Sequence, residues 1–322
     1  MNAHATPAPW SPDVLGDEWR ARTIHLGTDR EGPVEATLVR SADGPRHHRA
    51  VLYLHGFVDY FFHPHLAAAF AERGWDFYAL DLRKYGRSLR EGQSPNLVHD
   101  LAEHAAEIDE AVHIITADEH HGHLVVLGHS TGGLIGSMWA NARPGVLDAL
   151  VLNSPWLDLN ENVFLRTVGT AAIKALSHVA PRAVVGSLAP HYGRALHSGT
   201  GGEWDYELAW KPHEGFPVRA AWLASVRRYQ DRVARGLSIA CPVLVCTSTE
   251  TGDSKRQHDR VMTTDSVLSV EQILARAPRL GADVTIEQFD GGAHDLALSP
   301  EPARSAYLTT VLDWLETRVP AS

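Results

Sequence analysis

Residues 124–134 read Leu-Val-Val-Leu-Gly-His-Ser-Thr-Gly-Gly-Leu. Four apolar residues form a short run of the kind that fills a buried strand. Gly128-His-Ser-Thr-Gly132 then matches the pattern G-x-S-x-G, and a helix-like stretch continues through Leu134-Ile-Gly-Ser-Met-Trp139. A strand that turns at once into a helix leaves no room for side chains next to the turn, hence the glycines. It also forces the central serine into a strained backbone conformation with its Oγ exposed. Five residues of pattern are weak evidence alone; the strand before them and the helix after them give the pattern its meaning. Ser130 is the expected nucleophile.

Working outward, apolar runs and amphipathic stretches alternate. Candidate strands lie near 21–27, 34–40, 50–54, 75–80, 124–127, 149–152, 242–245 and 284–289. Helical patterns lie between many of them, near 65–73, 97–117, 131–142 and 302–318. Strands alternating with helices imply an α/β fold: a mostly parallel central sheet covered on both faces. The first 20 residues read as a polar lead-in. The alternation stops between about 156 and 236, where helices are expected near 162–179 and 217–235 and no strand is visible. This predicts a core in two parts, 1–155 and 237–322, with an inserted helical cap at 156–236.

A serine hydroxyl is a weak nucleophile and needs a positioned base. In this chain order the base belongs on a loop after the last strand, where Phe289-Asp-Gly-Gly-Ala-His294 offers His294. The acid belongs after the strand at 242–245. Glu250, Asp253, Asp259 and Asp265 all qualify by order, and the helix and strand that must intervene, roughly 25–30 residues by ordinary element lengths, favour Asp265. Acyl transfer also needs donors for a developing oxyanion. The backbone amides of Thr131, at a helix N-terminus, and of Phe57, after the strand-ending His55-Gly56, are the expected pair. Phe57, Tyr60 and Phe61 in the loop after that strand, with Phe164 from the cap, are expected to wall an apolar substrate site.

His55-Gly-Phe57, Asp81-Leu-Arg-Lys-Tyr-Gly-Arg-Ser88, Gly128-His-Ser-Thr-Gly132 and Gly291-Gly-Ala-His294 together resemble the α/β-hydrolase superfamily, and within it the monoacylglycerol lipase and lysophospholipase group labelled serine aminopeptidase of the S33 type. The resemblance covers residues 20–155 and 237–320. It implies a Ser-Asp-His triad, an acyl-enzyme and no cofactor, carried by Ser130, Asp265, His294, Phe57 and Thr131. One departure concerns the acid: the stretch from Cys246 to Arg260 is longer than the loop such enzymes place before it. The substrate expected on this likeness is a small-molecule carboxylic ester. The rivals are a peptidase holding a free amine on a cap carboxylate (Glu203, Asp205, Glu207 or Glu214) and a binding protein without turnover.

The whole chain sets bounds. Its 322 residues are 44% hydrophobic and 21% charged, an ordinary globular composition. A net charge of −10 argues against nucleic acid as a partner. No stretch reaches the roughly 20 apolar residues of a membrane span, while transient contact of a cap helix with a membrane surface stays open. The N-terminus has no secretory pattern. Cys241 and Cys246 lie five residues apart on one extended run, too far for a disulfide, so reduced thiols and a cytoplasmic location are expected. The histidine clusters at 119–123 and 63–65 read as solvated loops rather than metal ligands. Oligomeric state is not legible.

Overall fold

A computed structural model describes residues 8–159 and 170–321. Its frame is a nine-stranded sheet. In chain order the strands are β1 (Ser11–Asp13), β2 (Gly16–Asp29), β3 (Gly32–Ser41), β4 (Arg49–Leu54), β5 (Trp75–Asp81), β6 (His123–His129), β7 (Ala149–Asn153), β10 (Val243–Ser248) and β11 (Val284–Phe289). Spatially they run β1-β2-β3-β5-β4-β6-β7-β10-β11. The first three are antiparallel, β3 meets β5 antiparallel, and from β5 onward every pair is parallel.

A parallel strand buried on both faces should be apolar at every position, with alternate residues feeding opposite layers. β4 does this. Ala50, Leu52 and Leu54 join one core with Ile108, Leu134 and Trp222, whereas Val51 and Tyr53 join the other with Phe70, Tyr307 and Val311. The first layer is built on α2 (Ala105–His113), α3 (Thr131–Ala142) and α6 (Ala220–Arg235). The second rests on α1 (Pro64–Glu72) and α8 (Ala303–Arg318).

Several elements depart from the sequence reading. The polar lead-in holds β1 and the start of β2. Arg87 anchors β1: its side chain bonds both carboxylate oxygens of Asp13 and also that of Asp81. The helix expected over 97–117 begins only after Asp100, whose carboxylate caps a 3-10 turn at Leu101–His104 with Glu103 completing a capping box. The expected solvated histidines are in part buried: His121 bonds the Tyr78 hydroxyl, and His63 is 1% exposed.

Between β7 and β10 the chain leaves the sheet. The described part holds α4 (Thr170–Val179), a short antiparallel pair of β8 (Val184–Gly186) with β9 (Val218–Arg219), α5 (His191–Leu196) and then α6. The β8–β9 pair was not visible in the sequence, being only two or three residues long in each strand. Residues 190–211 lie against the core. Leu196 and Tyr206 pack with Tyr60, Phe62 and Leu298 in a third apolar cluster. Cys246 is buried in β10 and Cys241 is half-buried just before it; both are free.

The turn from β6 into α3 leaves no room for a side chain at its glycines. A Cβ on Gly132 would stand 2.3 Å from the Leu54 carbonyl oxygen and 2.4 Å from that of His55, and one on Gly128 would stand 2.7 Å from the Gly132 oxygen. Backbone cannot retreat as a flexible side chain can. Gly132→Ala is expected to destabilise the protein by about 1–3 kcal/mol, the usual cost of forcing atoms into a packed interior. Thermal melting checks this, and an unchanged midpoint would contradict so close an approach.

Candidate active site

Ser130 is the single residue between β6 and α3. Its backbone is left-handed, at φ 52° and ψ −115°, the strain expected at this turn. The strain is held from several sides: the Ser130 amide donates to Asn153 at 3.0 Å, and its carbonyl accepts from Gly133 at 3.0 Å and Trp156 at 2.9 Å.

The structure brings the three expected polar side chains together in line. His294 Nε2 is 3.1 Å from Ser130 Oγ. His294 Nδ1 is 3.0 Å and 3.1 Å from the two oxygens of Asp265. A carboxylate only accepts, so Nδ1 carries the proton and Nε2 presents its lone pair to the serine hydroxyl. That is the tautomer a base for Ser130 needs.

Asp265 reaches this position by an excursion that explains the long preceding loop. After β10 the chain runs out through 249–264 and returns, so that Thr251 and Asp265 bridge in parallel. The Asp265 amide donates to Glu250 and the Gly252 amide donates to Asp265, at 2.9 Å and 2.8 Å. Asp265 thus sits at the end of β10 as if the excursion were absent. Its Oδ1 also accepts from the Val267 and Leu268 amides, and it is fully buried. It does not cap the next helix, α7 (Val270–Arg276), whose cap is Ser269. The competing acids lie elsewhere: Glu250 pairs with Arg260 on the surface, Asp253 closes an exposed turn onto Lys255 and Arg256, and Asp259 is exposed.

Phe57 and Thr131 line the same cavity as Ser130. Thr131 is the first residue of α3, where partial positive charge collects. Gly56 packs so close that a Cβ on it would be 3.2 Å from that of Ser130, which brings the Gly56–Phe57 turn against Ser130. Among the described residues neither amide donates to another protein group. His55 shapes this turn as a neutral ring: burial lowers its pKa, its Nε2 accepts from the Leu82 amide at 3.0 Å, and its Nδ1 donates to the Gly56 carbonyl at 2.8 Å. Val58 follows in the left-handed region, at φ 52°.

A cavity of about 400 Å³ opens above Ser130 and His294. Its apolar wall includes Phe57, Trp156, Val218, Trp222, Leu223 and Leu268. Phe57 stacks on Trp222 with ring centroids 4.1 Å apart. Two expected wall residues are corrected. Phe61 points into the sheet core among Trp19, Tyr53 and Phe77, and Tyr60 is buried with its hydroxyl accepting from the Glu207 amide. The alternation that sends Phe57 into the cavity breaks at the strained Val58, so counting apolar residues along the loop misplaced both. Phe164 lies outside the described residues. Trp156 and Trp222 were missed in the sequence because both look like ordinary core positions. Tyr192 of α5 was missed too; it lines the cavity and accepts a hydrogen bond from the Asp295 amide, next to His294.

A second buried network underlies the base. The Asp295 carboxylate accepts from Asn153 Nδ2 at 2.7 Å and lies 3.9 Å from His129 Nε2. Burial alone would raise the Asp295 pKa, yet beside the His129 and His63 rings and with the hydrogen bond from Asn153 the carboxyl is held low, while burial lowers the pKa of His129 itself.

Comparison with known proteins bears on the family and the fold. The sequence model of the serine aminopeptidase, S33, family matches residues 45–301. A monoacylglycerol lipase of Mycolicibacterium smegmatis is 33% identical over 133 residues, which is 41% of this chain and 45% of that protein. The match therefore spans less than half of that relative's length. Among solved structures, the monoacylglycerol lipase of Paleococcus ferrophilus superposes with a TM-score of 0.63 at 19% identity, covering 92% of this chain and 99% of that one. A soluble variant of the monoglyceride lipase of Saccharomyces cerevisiae gives 0.66 at 14%, covering 93% and 97%. At such identities the structural likeness is one of fold. With the family match extending over most of the sequence, the chain belongs to the serine aminopeptidase S33 family of the α/β-hydrolase superfamily.

Proposed function

We propose that the protein hydrolyses carboxylic esters through an acyl-enzyme on Ser130. The observation that carries this reading is the in-line contact of Ser130, His294 and Asp265 at the mouth of an apolar cavity. Ser130 Oγ attacks the ester carbonyl carbon while His294 Nε2 takes its proton, and the carbonyl electron pair moves onto oxygen. The amides of Phe57 and Thr131 stabilise that oxyanion. Its collapse breaks the bond to the alcohol, which leaves with the proton from His294. Water, deprotonated by His294, then attacks the acyl-enzyme; the bond to Ser130 Oγ breaks, His294 returns the proton to Oγ, and the acid leaves. Asp265 holds the imidazole in its tautomer and stabilises the imidazolium.

The cavity walls favour an apolar acyl or aromatic group, and monoacylglycerols, lysophospholipids and small acyl esters fit that description. The likeness to monoacylglycerol lipases supports the first of these. The segment 156–236 acts as a cap over the site. A peptidase holding a free amine is disfavoured, because such an enzyme needs an uncompensated carboxylate in its cavity. Among the described lining residues the carboxylate is Asp59, already paired with Lys211. Glu203 pairs with Arg304 and Glu214 with Arg194. Among the described residues no helix is long and apolar enough to cross a membrane. The free thiols support a reducing, cytoplasmic location.

Hydrolysis of p-nitrophenyl esters of rising acyl length is expected, with loss of turnover in Ser130→Ala; no hydrolysis at any length would sink the ester reading. Asp265→Asn is expected to lower kcat about 10⁴-fold, the effect of losing the imidazole's correct tautomer. Asp253→Asn and Asp259→Asn should leave kcat unchanged, and a large loss in either would move the acid role away from Asp265. Amino-acid p-nitroanilides should be cleaved far more slowly than esters, and the reverse preference would favour the peptidase.

A further inference from the structure

The turn that presents the Phe57 amide is not self-supporting. Val58 occupies the left-handed region without being glycine, a conformation that persists only when its surroundings impose it. The imposing group is Asp59. Its Oδ2 accepts from the Gly56 amide at 3.2 Å, closing the turn from inside. Its other oxygen, Oδ1, accepts from Lys211 Nζ at 2.5 Å. Lys211 comes from the inserted segment, 152 residues away in sequence.

The Asp59–Lys211 pair is unlike the surface ion pairs that contribute little. The two side chains are 3% and 14% exposed. The Lys211 ammonium also lies over the rings of Phe62 and Tyr206, at 5.4 Å and 5.7 Å, so its stem is fixed as well as its charge. Burial would by itself raise the Asp59 pKa, but the Lys211 ammonium, by its charge and its hydrogen bond, outweighs it and holds the carboxyl well below the ordinary range. Without Lys211 the carboxylate would be a buried charge with no cation, a strongly unfavourable state that the loop could relieve by moving Asp59 toward water. Such a movement releases Gly56 and turns the Phe57 amide.

We propose that Lys211 is a positioning residue of the reaction: from the inserted segment it fixes Asp59, and through Asp59 the Gly56–Phe57 turn that faces the oxyanion. The inference rests on the ester-hydrolase reading above and assigns a part of its machinery to the insertion. The same segment touches the base loop independently. Tyr192 accepts from the Asp295 amide at 3.0 Å, and Trp204 Nε1 donates to the Leu298 carbonyl at 3.0 Å. Residues 190–211 are thus an arm of the site, joined to the loops that carry Phe57 and His294.

The test compares wild type with Lys211→Met in steady-state hydrolysis of p-nitrophenyl butyrate and in binding of two ketones of the same chain length. A trifluoromethyl ketone takes up Ser130 Oγ at its carbonyl carbon, passes the serine proton to His294 and leaves a full negative charge on its oxygen. The matching methyl ketone stays uncharged and reports the pocket alone. Loss of a whole oxyanion donor costs about 100- to 1,000-fold in kcat, so loss of its support is expected to cost about 10- to 100-fold. KM should change little, because the interaction is made in the transition state. Affinity for the trifluoromethyl ketone should fall by the same factor as kcat, with methyl ketone affinity unchanged. An unchanged kcat, or equal weakening of both ketones, would overturn the inference. If Lys211→Met does not fold, Lys211→Gln removes the same charge at nearly the same length and carries the same expectations. Wild-type turnover that vanishes in Ser130→Ala upholds the ester reading whatever Lys211 does, so the two can fail separately.

Discussion

The close approach of the β6–α3 turn to the end of β4 is the constraint on which the rest depends. Gly132 lies against the carbonyls of Leu54 and His55, and Gly56 lies against Ser130. The same contacts that force Ser130 into its left-handed conformation set the His55–Phe57 turn beside it. Ser130 and the Phe57 and Thr131 amides are therefore placed by a single backbone junction between neighbouring parallel strands. The hydrogen bonds of Ser130, to Asn153 and from Trp156, tie that junction onward to β7 and to the chain that follows it.

Parallel strands end on the same side, which is why acid, base and nucleophile can converge from points far apart in the chain. β6 delivers Ser130, β10 delivers Asp265 by way of its excursion, and β11 is followed by His294. The sheet supplies direction, and the loops supply the last few ångströms. Glycine at 252 shows how narrow that margin is: a Cβ there would stand 2.3 Å from both the Ser266 and Thr264 hydroxyls. A larger residue at that position would force both hydroxyls to turn away.

Much of this was legible in the sequence, for identifiable reasons. Buried parallel strands are short apolar runs, so β4, β6, β7 and β10 stand out, and the helix after Ser130 runs over 131–142 as its pattern implies. The order of serine, acid and base fixed the candidates, and element lengths favoured Asp265 over its neighbours. Other features were hidden because they depend on tertiary contacts. β1 consists of polar residues held by Arg87, and β8 and β9 are too short to show a period. Tyr60 and Phe61 share the composition of Phe57 but fall on the wrong side of the strained Val58. Asp59 and Lys211 read as ordinary surface charges until the fold buries them against each other.

The central claim is that Ser130, activated by His294, is the nucleophile of this cavity. Peptide mass spectrometry after treatment with a fluorophosphonate tests it most directly, since the reagent reports the activated serine without any assumption about substrate. The account predicts a single adduct per chain, on the peptide containing Ser130, and its loss in His294→Ala. No adduct, or an adduct on another serine with Ser130 untouched, would contradict it.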